Sequence, residues 1–355
     1  MSGTIEVPPE EPRESSLRPV ASDVENPRDG RRWTPPMRRG RRRALVGGAT
    51  VALVIAALLL WRSCAPPNPT PIHAVAVGDI ACDPTDPEFA GGAGKDGWCQ
   101  QKATSDLALS LHPSLFLGLG DYQYELPSSA GYQDVYAPSW GRLRSITKPA
   151  LGNQELKVFH ANTFRSYFGD LAGPDLGYWS FDVGTWHFVV LNSNCTTVVG
   201  GCAQGSPQQQ WLESDLTSTQ AKCVAVMWHH PRFSNGIAGP DQRTKDLWST
   251  LVQHDVELVL SAHEHDYERF PRLDALGRND LHGPRQFVVG TGGQVVYDPK
   301  AGDAPWREKL TPVPSDASDF IHPGVLELTF AESGYSWAFH TTAGTVTDSG
   351  TETCH

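Results

Sequence analysis

From Ile72 onward the chain alternates short apolar runs with amphipathic stretches. The run "HAVAVGD" precedes a stretch that predicts a helix near Cys99–Leu111, and "SLFLGLGD" comes next. Later, "WHFVVLNS" leads into a predicted helix opening at "SPQQQWLESDL". "CVAVMWHH" follows, then a predicted helix near Asp241–His254, and "VELVLSAH" closes the series. In "SPQQ", Ser206 fits an N-cap, Pro207 the first helical position and Gln209 the third, the arrangement of a capping box. Strands alternating with helices predict an α/β fold with a largely parallel sheet. "GVLELTF" and "YSWAFHTT" instead alternate with period two and have no helix between them. They are expected as antiparallel strands forming a second sheet or its edge.

The first 71 residues follow a different pattern. Residues 1–43 are rich in Pro, Glu, Ser and Arg, lack an apolar period and end in "RRGRRR". Such a segment cannot bury enough surface to order itself and is expected to be disordered. Ala44–Trp61 is uncharged throughout, and as a helix at about 1.5 Å per residue it spans roughly 27 Å, close to a bilayer core. The basic cluster before it and the lone Arg62 after it put the N-terminus inside and the bulk outside the cell membrane. The expected organisation is a cytoplasmic segment 1–43, a single-pass transmembrane helix 44–61 in contact with the lipid bilayer, a Pro-rich linker 62–71, and one extracytoplasmic domain 72–355. Secretion after cleavage of a signal peptide is the alternative, but the charged region before residue 44 is long for one. Cys64 follows Trp-Arg-Ser, a poor context for lipidation.

Charge and cysteine content narrow the chemistry. Residues 1–63 hold 11 of the 29 Lys and Arg and 7 of the 40 Asp and Glu, so the remainder carries 18 − 33 = −15. An acidic domain repels nucleic acid, and any phosphate ligand needs local positive charge such as a metal ion. Membrane topology accounts for "RRGRRR", so no nucleic-acid partner is expected. Seven cysteines point to an oxidising compartment. With Cys64 at the membrane, six remain, and six allow fifteen connectivities. Proximity along the chain favours Cys82–Cys99 and Cys195–Cys202, with Cys223 tying down the tail through Cys354. No C-x-x-C spacing supports a zinc cluster.

Open α/β sheets place their sites just past the carboxyl ends of strands. Asp79 follows "HAVAVG"; Asp121 follows "SLFLGLG", with Tyr124 three residues on; Asn153 follows "KPALG"; His229 follows "CVAVMW"; His263 and His265 follow "VELVLSA". Each has an ordinary explanation: aspartate after glycine forms turns, Tyr124 could pack in the core, and Asn153 could cap a loop. Five strand ends finishing in potential metal ligands are harder to obtain by chance. In extended backbone, residues i and i+2 point the same way, so His263 and His265 are expected to enter one site while Glu264 faces elsewhere.

The segments "GDI" (78–80), "GDYQY" (120–124), "GNQE" (152–155), "VMWHHP" (226–231) and "AHEHDYER" (262–269) resemble the purple acid phosphatases within the calcineurin-like metallophosphoesterases. "LNSNC", "GGC", "WHHPRFSNG", "GTGG" and the terminal "CH" resemble the bacterial secreted branch. The resemblance implies a two-sheet β-sandwich core flanked by helices (α/β/β/α). It also implies two metal ions, Fe(III) with Fe(II), Zn(II) or Mn(II). One metal would take Asp79, Asp121, Tyr124 and His265, and the other Asp121, Asn153, His229 and His263, with Asp121 bridging. "GDI" lacks the histidine two residues on that many relatives use; Tyr124 fills the gap, and a phenolate suits a ferric ion. His230 is read as supporting the ligands rather than binding metal. The implied reaction is hydrolysis of phosphomonoesters by a metal-activated water outside the membrane. Alternatives are phosphodiesterase or nucleotidase activity on the same core, or a catalytically weakened phosphate-binding protein.

The last alternative rests on Gln154. Relatives carry "GNHE" or "GNHD", whose histidine contacts substrate and assists the leaving group, whereas glutamine donates a hydrogen bond but delivers no proton. His160 is the nearby candidate substitute. Ala262 replaces a family glycine and is expected to crowd the backbone beside His263. Positioned acid catalysis contributes about 10²–10⁴-fold, most for poor leaving groups. Alkyl phosphates are therefore predicted to turn over more slowly than aryl phosphates in a side-by-side assay, and equal rates would remove Gln154 from the argument.

Overall fold

The computed structural model of the protein describes residues 70–297, 317–319 and 322–355. The expected segment 1–43, the membrane helix 44–61 and nearly all of the linker 62–71 lie outside these residues. Among the described residues no helix is long and apolar enough to cross a membrane.

The strands form one sheet of six and one of seven. In the first, β1 (Ile72–Val77), β2 (Leu115–Gly118) and β3 (Thr147–Pro149) run parallel. The last three strands, β11 (Gly324–Ala331), β12 (Gly334–Thr341) and β13 (Val346–Thr353), join the opposite side of β1 as antiparallel partners. The second sheet has a parallel centre of β5 (Trp186–Val190), β6 (Cys223–Met227), β7 (Leu258–Ser261) and β9 (Arg285–Val289). Antiparallel strands flank it: β4 (Trp179–Val183) on one side, β8 (Tyr267–Arg272) and β10 (Ala317–Asp319) on the other. Both sheets are thus mixed rather than largely parallel. The C-terminal strands complete the sheet of β1, whose edge opposite β2 no earlier strand covers.

Side-chain alternation explains why the central strands read as unbroken apolar runs. Phe188 on β5, Ala225 on β6, Leu260 on β7 and Phe287 on β9 share one core with Val75, Phe116, Leu326 and Phe339 of the first sheet. Tyr267 stacks on Phe339 at 4.0 Å and Trp186 meets Phe330 at 4.7 Å, so the two sheets pack face to face. The alternate residues Val189, Val226, Val259 and Val288 form a second core with Leu212, Leu216, Leu247, Trp248 and Leu251. These last five come from the helices Pro207–Ser218 and Lys245–Gln253. A strand buried on both faces has no polar alternation to display.

The helix expected near Cys99–Leu111 runs over Gln101–Ser110, and the one expected near Asp241–His254 begins only at Lys245, after a tight turn. The Ser206 hydroxyl accepts the Gln209 N–H at 3.3 Å, whereas the Gln209 side-chain Oε1 takes the Gly205 N–H at 3.0 Å instead of closing a capping box on Ser206. Disulfides join Cys82–Cys99, Cys195–Cys202 and Cys223–Cys354, with Cα separations of 5.4, 5.1 and 5.7 Å, the pairings favoured from the sequence.

Half-buried ion pairs tie β13 to the opposite sheet. Asp348 accepts from Arg269 Nε at 2.8 Å and Tyr267 Oη at 2.7 Å; Glu352 accepts from Arg272 Nε at 2.7 Å and Arg285 Nε at 2.8 Å. Burial works against ionised Glu352, but Arg285 and Arg272 hold its pKa down from 4.5 to about 2. A carboxyl whose pKa is lower in the folded state stabilises the fold above its unfolded value and loses that contribution as the pH falls. Glu352→Gln is therefore predicted to cost about 1–3 kcal/mol in denaturant unfolding at neutral pH, with the difference from wild type shrinking as the pH falls from about 4.5 towards 2.

Candidate metal centre

The carboxyl ends of the two sheets meet at one place. Just past β1, the Gly78 N–H donates to Val289 O at 2.9 Å, and Gly292 N–H donates back to Gly78 O at 3.0 Å. Asp79 N–H reaches Gly120 O beyond β2 at 3.1 Å, and Ala262 N–H reaches His229 O at 2.9 Å. These bonds bring the loops after β1, β2, β6, β7 and β9 into register.

Three residues on these loops, Asp79, Asp121 and His263, adopt left-handed backbone with φ of 58°, 53° and 70°. Side chains seldom take this conformation, and residues held in it cluster at functional sites. Here it turns each chain sharply at its strand end. His263 therefore does not lie in extended backbone: β7 stops at Ser261 and β8 starts at Tyr267. The two histidines still reach one cluster, at different members of it. His263 Nδ1 lies 3.2 Å from His229 Nε2, and His265 Nε2 lies 3.3 Å from Asp79 Oδ1. Glu264 points away and fills the space beside Gly236.

The remaining contacts close the group. Tyr124 Oη donates to Asp79 Oδ1 at 2.6 Å and lies 2.9 Å from Asp121 Oδ2 and 3.2 Å from His265 Nε2. His229 Nε2 faces Asp121 Oδ2 at 3.2 Å and Asn153 Oδ1 at 3.1 Å. Asp79, Asp121 and His229 each bring a potential ligand atom within 4.8 Å of the others, as do His229, His230 and His263. His230 is held from behind, its Nδ1 2.9 Å from the Ser193 hydroxyl.

The charge distribution asks for a cation. His229 Nδ1 sits 2.8 Å from the Leu119 carbonyl and must carry a proton to donate to it. In the neutral ring, Nε2 then presents a lone pair to the oxygens of Asp121 and Asn153, which are also acceptors. A proton or a metal ion on Nε2 resolves the conflict. Burial disfavours charged His229, yet Asp121 and Asp79 lift its pKa to about 9. Burial also opposes ionised Asp79, while His265, His229 and Tyr124 hold its pKa at about 2. Tyr124 is pushed well above 10 by burial and by both aspartates, so a phenolate there needs a compensating cation. Hard oxygens and imidazole nitrogens converging on a negative, buried pocket fit a pair of metal ions.

Gln154 lies at the rim of this group. Its backbone N–H donates to Asp121 Oδ1 at 2.7 Å, and its side-chain oxygen is buried without a protein partner among the described residues. His160 does not join the group; it is exposed, and its ring contact is with Phe159. The Ala262 methyl does not crowd His263. It occupies the open side of Gly78, where an added Cβ would lie 2.6 Å from it. Gly152 is equally constrained, since a Cβ there would lie 2.0 Å from Asp121 Oδ1.

Sequence reasoning gave Glu155 no role. This fully buried carboxylate accepts the N–H groups of Asp121 at 2.9 Å, Tyr122 at 2.9 Å and Gly152 at 2.8 Å, clamping the loops of Asp121 and Asn153 together. Its place in "GNQE", two residues after Asn153, was the available signal.

Residues 73–267 match the calcineurin-like phosphoesterase family, and the chain belongs to that family. It is similar to purple acid phosphatase 22 of Arabidopsis thaliana, 30% identical over 199 residues, which are 49% of this chain and 44% of that protein. The chain spans about half the length of the curated relatives it matches. Among solved structures, it resembles the purple acid phosphatase PPD1 from yellow lupin (Lupinus luteus) seeds. The TM-score is 0.62 at 18% identity, over 80% of this chain and 54% of that one. GAP50, the anchor in the inner membrane complex of Plasmodium, shares the fold at TM-score 0.59 and 12% identity, over 81% and 90% of the chains.

Removing one acceptor from the Glu155 clamp strands a buried N–H against an amide. Glu155→Gln is predicted to lower stability by about 1–3 kcal/mol, read as a shift of the urea unfolding midpoint.

Proposed function

We propose that the chain hydrolyses phosphomonoesters at a binuclear metal centre, on the outer side of a membrane. The observation that carries this reading is the lone-pair conflict at His229 Nε2, which two nearby carboxylates deepen and a cation relieves. In this reading Asp79, Asp121, Tyr124 and His265 hold one metal, Asp121, Asn153, His229 and His263 the other, and Asp121 bridges them. When bound, such cations stabilise negative charge on the phosphoryl group and acidify a water poised to attack it. The chain's own groups fix where that happens: Glu155 sets the separation of the Asp121 and Asn153 loops, and the Gln154 N–H orients Asp121.

Three aspects of the reading rest on sequence features. Membership of the bacterial secreted branch is supported by "WHHPRFSNG" and "GTGG". The outer location is supported by three disulfides together with the apolar segment 44–61 behind a basic cluster. The ferric ion is supported by Tyr124 among the proposed ligands, and its partner, Fe(II), Zn(II) or Mn(II), by the resemblance to the purple acid phosphatases. A phosphodiesterase or nucleotidase uses the same centre, and substrate choice among these lies in the walls around it.

The metal-loaded protein is expected to release phosphate from an aryl phosphate, to lose that activity when stripped of metal, and to lose it in Asp121→Ala. A folded, metal-loaded chain without hydrolysis would move the reading to phosphate binding.

A further inference from the structure

A cavity of about 300 Å³ adjoins the proposed centre. Asn153, whose Oδ1 faces His229, also lines it, so the cavity begins where the metal group ends. His230, Lys157 and Arg243 form other parts of its wall, and no lining side chain is acidic. The wall thus holds two cations and no carboxylate, their acidic partners Glu125 and Asp241 lying outside it.

The three donors are available. Ser193 is fully buried; its hydroxyl oxygen accepts the His230 backbone N–H at 2.9 Å, and His230 Nδ1 lies 2.9 Å from the same oxygen. Among the described residues Nδ1 is the acceptor within reach of the hydroxyl proton, and a Nδ1 that accepts it leaves the ring proton on Nε2. Nε2 has no hydrogen-bond partner among the described residues. Lys157 Nζ donates to the Glu125 carbonyl at 3.1 Å and carboxylate at 3.2 Å, but both side chains are exposed, such pairs hold little energy, and an ammonium has a third N–H to give. Arg243 gives Nε and Nη2 to Asp241 and keeps Nη1 unengaged among the described residues. An Arg steadied by one carboxylate while presenting a free N–H suits a second anion.

We propose that this cavity receives the leaving group of the ester and selects small leaving groups that carry a second phosphate, with Lys157, Arg243 and the Nε2–H of His230 as donors. The proposal rests on the phosphomonoesterase reading above and deepens it by naming a substrate class, small organic bisphosphates. The volume lies at the small end for ligand sites, enough for a short carbon skeleton with a phosphate.

The test compares 2-hydroxyethyl phosphate with ethane-1,2-diyl bisphosphate on the metal-loaded full-length chain, in wild type and in the Lys157→Gln, Arg243→Gln double variant. Wild type is expected to show a kcat/KM about tenfold higher for the bisphosphate, well beyond the roughly twofold that two ester ends supply. The double variant is expected to fall back towards that twofold ratio. A wild-type ratio of about two or less, or a ratio unmoved in the double variant, overturns the proposal. If neither ester turns over, an aryl phosphate assayed on the same preparation decides whether the phosphomonoesterase reading fails, and calorimetric affinities of the same two compounds decide the subsite. Tighter bisphosphate binding that the double variant loses supports it; equal binding, or binding that survives the double variant, overturns it.

Discussion

Two aspartates without access to water, Asp79 and Asp121, set the terms for everything around them. A buried carboxylate costs several kcal/mol unless partners replace its hydration. Asp79 gains the His263 backbone N–H and the Tyr124 hydroxyl; Asp121 gains the Gln154 N–H. Each of those donors lies on a different loop, so satisfying the two charges fixes the relative positions of four chain segments. The left-handed turns at Asp79, Asp121 and His263 are the backbone cost of delivering the groups there. The same negative charge that demands these partners gives the pocket its affinity for cations.

Around this pair the protein supplies rigidity by unlike means. The Glu155 clamp is polar and joins loops after β2 and β3. The contact between Gly78 and the Ala262 methyl is steric, and it joins the end of β1 in one sheet to the end of β7 in the other. Gly152 works by omission, leaving room for the Asp121 carboxylate. A cluster assembled from both sheets needs such ties, because neither sheet alone carries all of its members.

Much of this was legible in the chain because the strands that bear the site are parallel and end in it. Apolar runs closing on Asp79, Asp121, His229 and His263 gave both the strands and the candidate ligands. What stayed hidden has a common cause, long-range pairing. Nothing local in "GVLELTF" or "YSWAFHTT" announces that they extend the sheet of β1. Nothing in Glu155 or Ser193 announces a partner on another loop. The His-x-His pair was read as extended backbone because spacing alone cannot reveal the left-handed turn at His263. The Ala262 methyl looked like an intrusion for the same reason, since the space it fills belongs to Gly78, far away in sequence.

The strand order has a consequence for how the chain is made. β1 lies between β2 and β11, with Ile72 opposite Phe330. Among the described residues, the first strand therefore has one edge uncovered until Gly324 and the residues after it emerge. Pairings of such separation are slow to close, and an open edge invites unwanted partners in the interval. Asp79, carried at the end of that strand, waits with it. The cluster's residues are all on the chain before that edge closes, and a ribosome-bound fragment ending before β11 holds them beside a sheet whose edge is still open.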